Sequence, residues 1–88
     1  MMEDKEFMEK CIDMVIEYYN NLVEITDNYQ LKEEDVHIVS MYTVLGNTKA
    51  LLSTNVFDGM YYEITFSNEE NCFYFDAYKK WSHQRYDL

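Results

Sequence analysis

The sequence predicts an α+β domain, with one long N-terminal helix packed on a four-stranded antiparallel meander sheet. Three observations carry this. Apolar residues recur at helical spacing over the first third of the chain, they alternate at the strand period over the rest, and turn residues punctuate the second part at short intervals. At 88 residues the chain fits a single domain, 1–88, with the helix at about 4–27 and the sheet at about 36–78. Apolar residues make up 48% of the chain and aromatics 17%, enough to form a core despite the charge.

Phe7, Cys11, Val15, Tyr18, Leu22 and Ile25 follow steps of three and four, and Met8, Ile12, Ile16, Tyr19 and Val23 widen the stripe. Asp4 is placed to cap the first turn, Glu6 favours the positive end of the helix dipole, and Asp27-Asn28 breaks the pattern. A helix of that length needs an extended surface to lie across, and the following residues supply one.

From Val36 the texture becomes β-branched and aromatic. Val36–Val44 reads as a first strand ended by Gly46-Asn47, and Lys49–Val56 as a second ended by Asp58-Gly59. Met60–Phe66 is the third, with a polar exit over Ser67–Asn71, and Cys72–Tyr78 is the fourth. Connections this short favour antiparallel neighbours. Alternation puts Met60, Tyr62, Ile64, Phe66, Phe73, Phe75 and Ala77 on the face that receives the helix. Tyr61, Glu63, Thr65, Tyr74, Asp76 and Tyr78 then share the other face.

The formal net charge of −10 narrows the partners. Phosphate binding depends on clustered Lys and Arg, so free nucleic acid and an anionic membrane surface are both unexpected, and a basic protein surface is the natural counterpart. The charge is uneven. Glu3, Asp4, Glu6, Glu9, Asp13, Glu17, Glu24, Asp27, Glu33, Glu34 and Asp35, against Lys5, Lys10 and Lys32, give residues 1–35 a net −8, and residues 36–88 net −2. The start, Met-Met-Glu-Asp-Lys-Glu, lacks the basic and apolar regions of a signal peptide, and no apolar run reaches membrane-span length. A cytoplasmic location is expected, with Cys11 and Cys72 as reduced thiols.

Catalytic motifs are lacking: no P-loop, GxSxG, HExxH or paired CxxC occurs, and His37 and His83 stand alone. No catalytic residue, metal or cofactor is expected, and a charged, solvated sheet face accounts for Glu63 and Asp76 more simply than a carboxylate pair for acid–base work. Two binding candidates stand out. Glu9, Asp13, Glu17, Glu24 and Asp27, with Asn20 and Asn21 filling the gap, form a ridge along the outer side of the helix. Like charges at that spacing oppose helix formation. Such a row could imitate a phosphate strand, or be the ordinary polar side of an amphipathic helix. The second candidate is the aromatic end, Tyr74, Tyr78, Lys80, Trp81 and Arg85, whose residue types dominate interface hot spots. It suits a protein contact or a homodimer seam, unless Trp81 folds back on the core.

Asn47–Val56, the stretch Asp58-Gly59-Met60-Tyr61-Tyr62-Glu63, and Asp76-Ala77-Tyr78-Lys79-Lys80-Trp81 together resemble an uncharacterised family of small proteins found in phages and prophages of Gram-positive bacteria. Glu33-Glu34-Asp35-Val36 fits that resemblance, and Ser67–Asn71 and the tail after Trp81 depart from it. The resemblance implies a mobile-element origin and no particular site residues. The leading expectation is a phage-encoded inhibitor of a host nucleic-acid-acting defence enzyme, most specifically an anti-CRISPR that engages a basic groove of a CRISPR–Cas effector. The alternative is a structural or regulatory phage accessory protein that forms a homo-oligomer.

Overall fold

A computed structural model describes residues 2–22 and 30–88. One α-helix, α1 (Asp4–Leu22), is followed by a short 3-10 turn, η1 (Glu33–Asp35), and four strands, β1 (Val36–Val44), β2 (Asn47–Thr54), β3 (Met60–Ser67) and β4 (Cys72–Lys79). The strands form one antiparallel sheet in the order β1-β2-β3-β4, the meander that the short connections require. At 1.5 Å per residue, α1 spans about 28 Å. The segment expected to extend it to Asp27 lies outside the described residues. Asp4 is the first helical residue instead of the cap, and the backbone carbonyl of Glu3 accepts from the N–H of Phe7 at 2.9 Å.

The helix covers one face of the sheet. Phe7, Cys11 and Val15 are buried, and they meet Ala50, Leu52, Tyr62, Ile64 and Phe66 from the two central strands. Each Leu or Ile side chain fully buried in this way contributes about 1.5–3 kcal/mol. Aromatic contacts fix the helix along the sheet. Phe7 stacks on Phe73 with ring centres 6.1 Å apart, and Tyr18 meets Phe75 at 5.1 Å and Tyr62 at 5.7 Å. Register places Tyr62 beside Ala77, Ile64 beside Phe75 and Phe66 beside Phe73, so the predicted division of β3 and β4 into a helix face and an open face holds.

β2 ends at Thr54, two residues before the expected Val56, while β3 and β4 each run one residue further than expected, to Ser67 and Lys79. The first hairpin turns on Leu45-Gly46 and not on Gly46-Asn47, which starts β2 two residues early. Leu45 and Gly46 have φ of 52° and 80°, the pair of positive values that a two-residue type I′ hairpin demands. β1 also carries a bulge between Ile38 and Ser40, which turns the exposed Val39 out of register.

Candidate functional site

On α1, Glu9, Asp13 and Glu17 are exposed and stand one turn apart, and Glu17 also borders a groove with Phe75 of β4. Glu24 and Asp27, which would extend the ridge, lie outside the described residues. A fourth carboxylate joins from elsewhere in the chain. Glu33 of η1 lines a shallow cleft of about 170 Å³ together with Glu9, Ile12 and Asp13. Its floor includes an apolar side chain and its rim is acidic. Among the described residues the ion pairs are Lys49–Glu63 at 3.5 Å and Arg85–Asp87 at 2.9 Å, neither of which touches this cleft.

The cleft exists because the chain returns along the flank of α1. Leu31 is buried, and its backbone is held by the Asn20 side chain. Asn20 therefore does not belong to the outer ridge, where helical spacing had placed it. Downstream, Asp35 anchors η1. Its carboxylate accepts from the Lys32 N–H at 3.0 Å, its carbonyl accepts from the Asn55 N–H at 3.0 Å, and the Asn55 side-chain amide donates to its carboxylate at 3.4 Å. The Asn55 side-chain oxygen is in turn hydrogen-bonded to His37 Nε2, so the exposed imidazole steadies the β2–β3 loop. The helical periodicity did hold a trace of the returning segment. Ile12 and Ile16 widen the apolar stripe beyond what a sheet on one side needs, and they are half-buried here.

The aromatic end occupies the opposite side of the sheet. Tyr74 and Tyr78 stand exposed on the open face of β4, where they flank Asp76. Tyr74 Oη donates to the Glu70 carboxylate at 2.8 Å, and that bond pushes the phenol up to about 12. The Lys80 ammonium lies 5.2 Å from the Tyr61 ring centre, and the Lys79 ammonium 5.3 Å from that of Trp81. Trp81 is 86% exposed, so it does not fold back on the core. Arg85 bonds locally to Asp87, five residues beyond the last strand–tail hydrogen bond. Tyr74 and Tyr78 thus lie across the sheet from the helix that carries the acidic row.

Glu63 and Asp76 are direct cross-strand partners, and Glu63 also pairs with Lys49. Cys11 is buried on the sheet side of α1, where desolvation raises its thiol to about 12, and Cys72 sits on the open-face side of β4 beside Ser67, so both thiols are free. Among the described residues no group of three or more His, Cys, Asp or Glu side chains is placed to hold a metal ion, and no helix is long and apolar enough to cross a membrane.

Comparison with known proteins adds a family and no activity. A family model described as a family of unknown function (DUF6275) matches residues 8–88. No curated protein and no solved structure matches the chain.

Proposed function

Because the chain belongs to this family of unknown function, we propose its role from its surface: it is a non-enzymatic binding protein that docks its acidic helix side onto a basic protein groove. One observation carries the reading. Carboxylates from two separate elements, Glu9 and Asp13 of α1 and Glu33 of η1, border one cleft around Ile12, and Glu17 continues the row along the helix.

Charge of one sign gathered beside an apolar floor has two uses in recognition. The carboxylates steer a cationic surface into contact, and the apolar floor adds burial once it arrives. Surfaces evolved to hold nucleic acid present Lys and Arg at phosphate spacing, so they are the basic grooves best suited to such a row. Occupying one would exclude its nucleic acid. In its most specific form the reading makes the chain a phage-encoded inhibitor of a host defence enzyme, an anti-CRISPR working in the host cytoplasm. That form rests on the sequence resemblance described above.

Affinity capture from bacterial lysate tests the reading. Capture by the wild-type chain should fall steeply between low and high salt, and a DNA oligonucleotide should compete for the captured proteins. The triple reversal Glu9→Lys, Asp13→Lys, Glu33→Lys should lose them while keeping the same circular dichroism. Recovery of the same proteins by the reversed variant would rule out the acidic surface.

A further inference from the structure

The two edges of the sheet are not alike. β1 is an outer strand with a bulge at its middle, a device that blocks pairing with another strand. β4 is the other outer strand. It pairs with β3 without a register shift from Met60–Lys79 to Ser67–Cys72, it contains no proline, and among the described residues nothing pairs with its outer side.

The direction of its free backbone groups follows from one bond. Lys80 donates its N–H inward to the Gly59 carbonyl at 2.7 Å, in register with the β3–β4 ladder. Residues of an antiparallel strand turn their N–H and C=O alternately to either side. Phe73, Phe75, Ala77 and Lys79 therefore present theirs outward, and the same residues carry their side chains on the helix face. We infer that the outer edge of β4 binds β4 of a second copy, joining two sheets into one continuous eight-stranded sheet with both helices on the same side.

The side chains select a register. A two-fold axis normal to the sheet pairs residues of the same face, so it must pass through a residue. Two such axes use nearly the whole strand, one at Phe75 and one at Asp76. An axis at Asp76 sets two carboxylates directly opposite each other in a close, non-hydrogen-bonded pair, which is unfavourable. An axis at Phe75 relieves this. Asp76 then faces Tyr74 of the second copy, Phe73 faces Ala77 as large against small, and the two Phe75 residues meet. Phe75 already lines a groove of about 210 Å³ with Met14, Glu17, Tyr18 and Asn21, so the contact would extend onto α1.

Charge supports the same register. At the end of the strand, Lys79 and Lys80 of one copy run beside the acidic loop that holds Glu69 and Glu70 in the other. Three of the chain's seven cations, Lys79, Lys80 and Arg85, fall in its last ten residues, against a single acid, Asp87. In a molecule of net charge −10, that basic tail is matched by the acidic body of a second copy. This inference does not depend on the cleft formed by Glu9, Ile12, Asp13 and Glu33, none of which lines the groove at Phe75, although Glu17 of the acidic row borders that groove.

Sedimentation velocity and cysteine cross-linking test it together. Wild-type protein should sediment with twice the mass of one chain, and a monomer at every accessible concentration would overturn the inference. Ala77→Pro removes an outward N–H, which an edge strand tolerates, and should give a monomer with unchanged circular dichroism. A dimer that survives this substitution would also overturn it. If that variant fails to fold, the cross-link decides. In a Cys72→Ser background, Tyr74→Cys mixed with Asp76→Cys should give a mixed disulfide, since close cross-strand pairs match disulfide spacing. Disulfides formed only by Asp76→Cys with itself would reject the register, and none in either arm would reject the contact.

Discussion

Asn20 and Leu31 are joined by two hydrogen bonds that close the chain's return from the helix to the sheet. The Leu31 N–H donates to the Asn20 side-chain oxygen at 2.9 Å, and the Asn20 amide donates to the Leu31 carbonyl at 3.4 Å. The pair imitates a rung of strand pairing with a side chain on one side. It sets Leu31 into the core and directs Glu33 to the cleft beside Glu9 and Asp13. The same clamp that completes the core therefore assembles the candidate surface.

Removing that clamp should affect both. Asn20→Ala leaves the backbone groups of a buried residue without partners, a loss of about 1–3 kcal/mol. Asn20→Asp keeps the acceptor and loses the donor, so it should fall between the two. Urea denaturation of the three proteins checks the order. Equal midpoints would show that the two bonds contribute nothing net.

Leu45 is 97% exposed and sits at φ 52°, where an L-residue with a branched side chain is strained. No burial offsets this. Leu45→Asn supplies a residue that tolerates the left-handed region and should stabilise the fold by about 0.5–1 kcal/mol. An increase of a few degrees in melting temperature is expected for a domain of this size. An unchanged or lower value would mean that Leu45 makes compensating contacts in solution.

That turn also shows where sequence reasoning reaches its limit. Met60–Phe66 was legible as a strand because its large apolar residues alternate, and the alternation predicts which face meets the helix. The turn was displaced because Gly46-Asn47 is by residue type a better hairpin pair than Leu45-Gly46, while strand register outweighs turn preference. Three of the four carboxylates of the acidic surface were legible as well, since Glu9, Asp13 and Glu17 share one helix side by spacing alone. Glu33 was not, because its approach depends on a hydrogen bond between residues eleven apart, made through a side chain. Trp81 could not be placed by pattern because the tail beyond β4 has no repeating order.

Alkaline pH should unfold the protein through two buried groups. Burial holds the Cys11 thiol up from 9.0 to about 12, and burial, with Asp58 nearby, holds the Tyr62 phenol up from 10.0 to about 12. Both groups are neutral in the folded state while the unfolded chain ionises first. Their contribution is therefore complete below pH 9 and is lost as pH rises towards 12. Denaturation midpoints measured from pH 8 to 11 should fall, and more gently in Cys11→Val than in wild type. Native Cys11 should also resist a thiol reagent at pH 8 that labels Cys72. Equal labelling of both thiols would show that the helix opens readily.

The acidic helix side should cost the isolated protein stability. Glu9, Asp13 and Glu17 stand one turn apart with like charge, and each such pair opposes the helix by a few tenths of a kcal/mol. Glu33 adds a further carboxylate beside the first two, all of them exposed. Asp13→Asn should therefore raise stability by about 0.5 kcal/mol in low salt, and the gain should shrink as salt screens the repulsion. Urea titrations at two salt concentrations measure both effects. A gain in stability coupled to weaker capture of basic proteins would mark the carboxylate as retained for binding at the expense of the helix. A loss of stability in Asp13→Asn would instead assign the residue a structural role in holding η1 against α1.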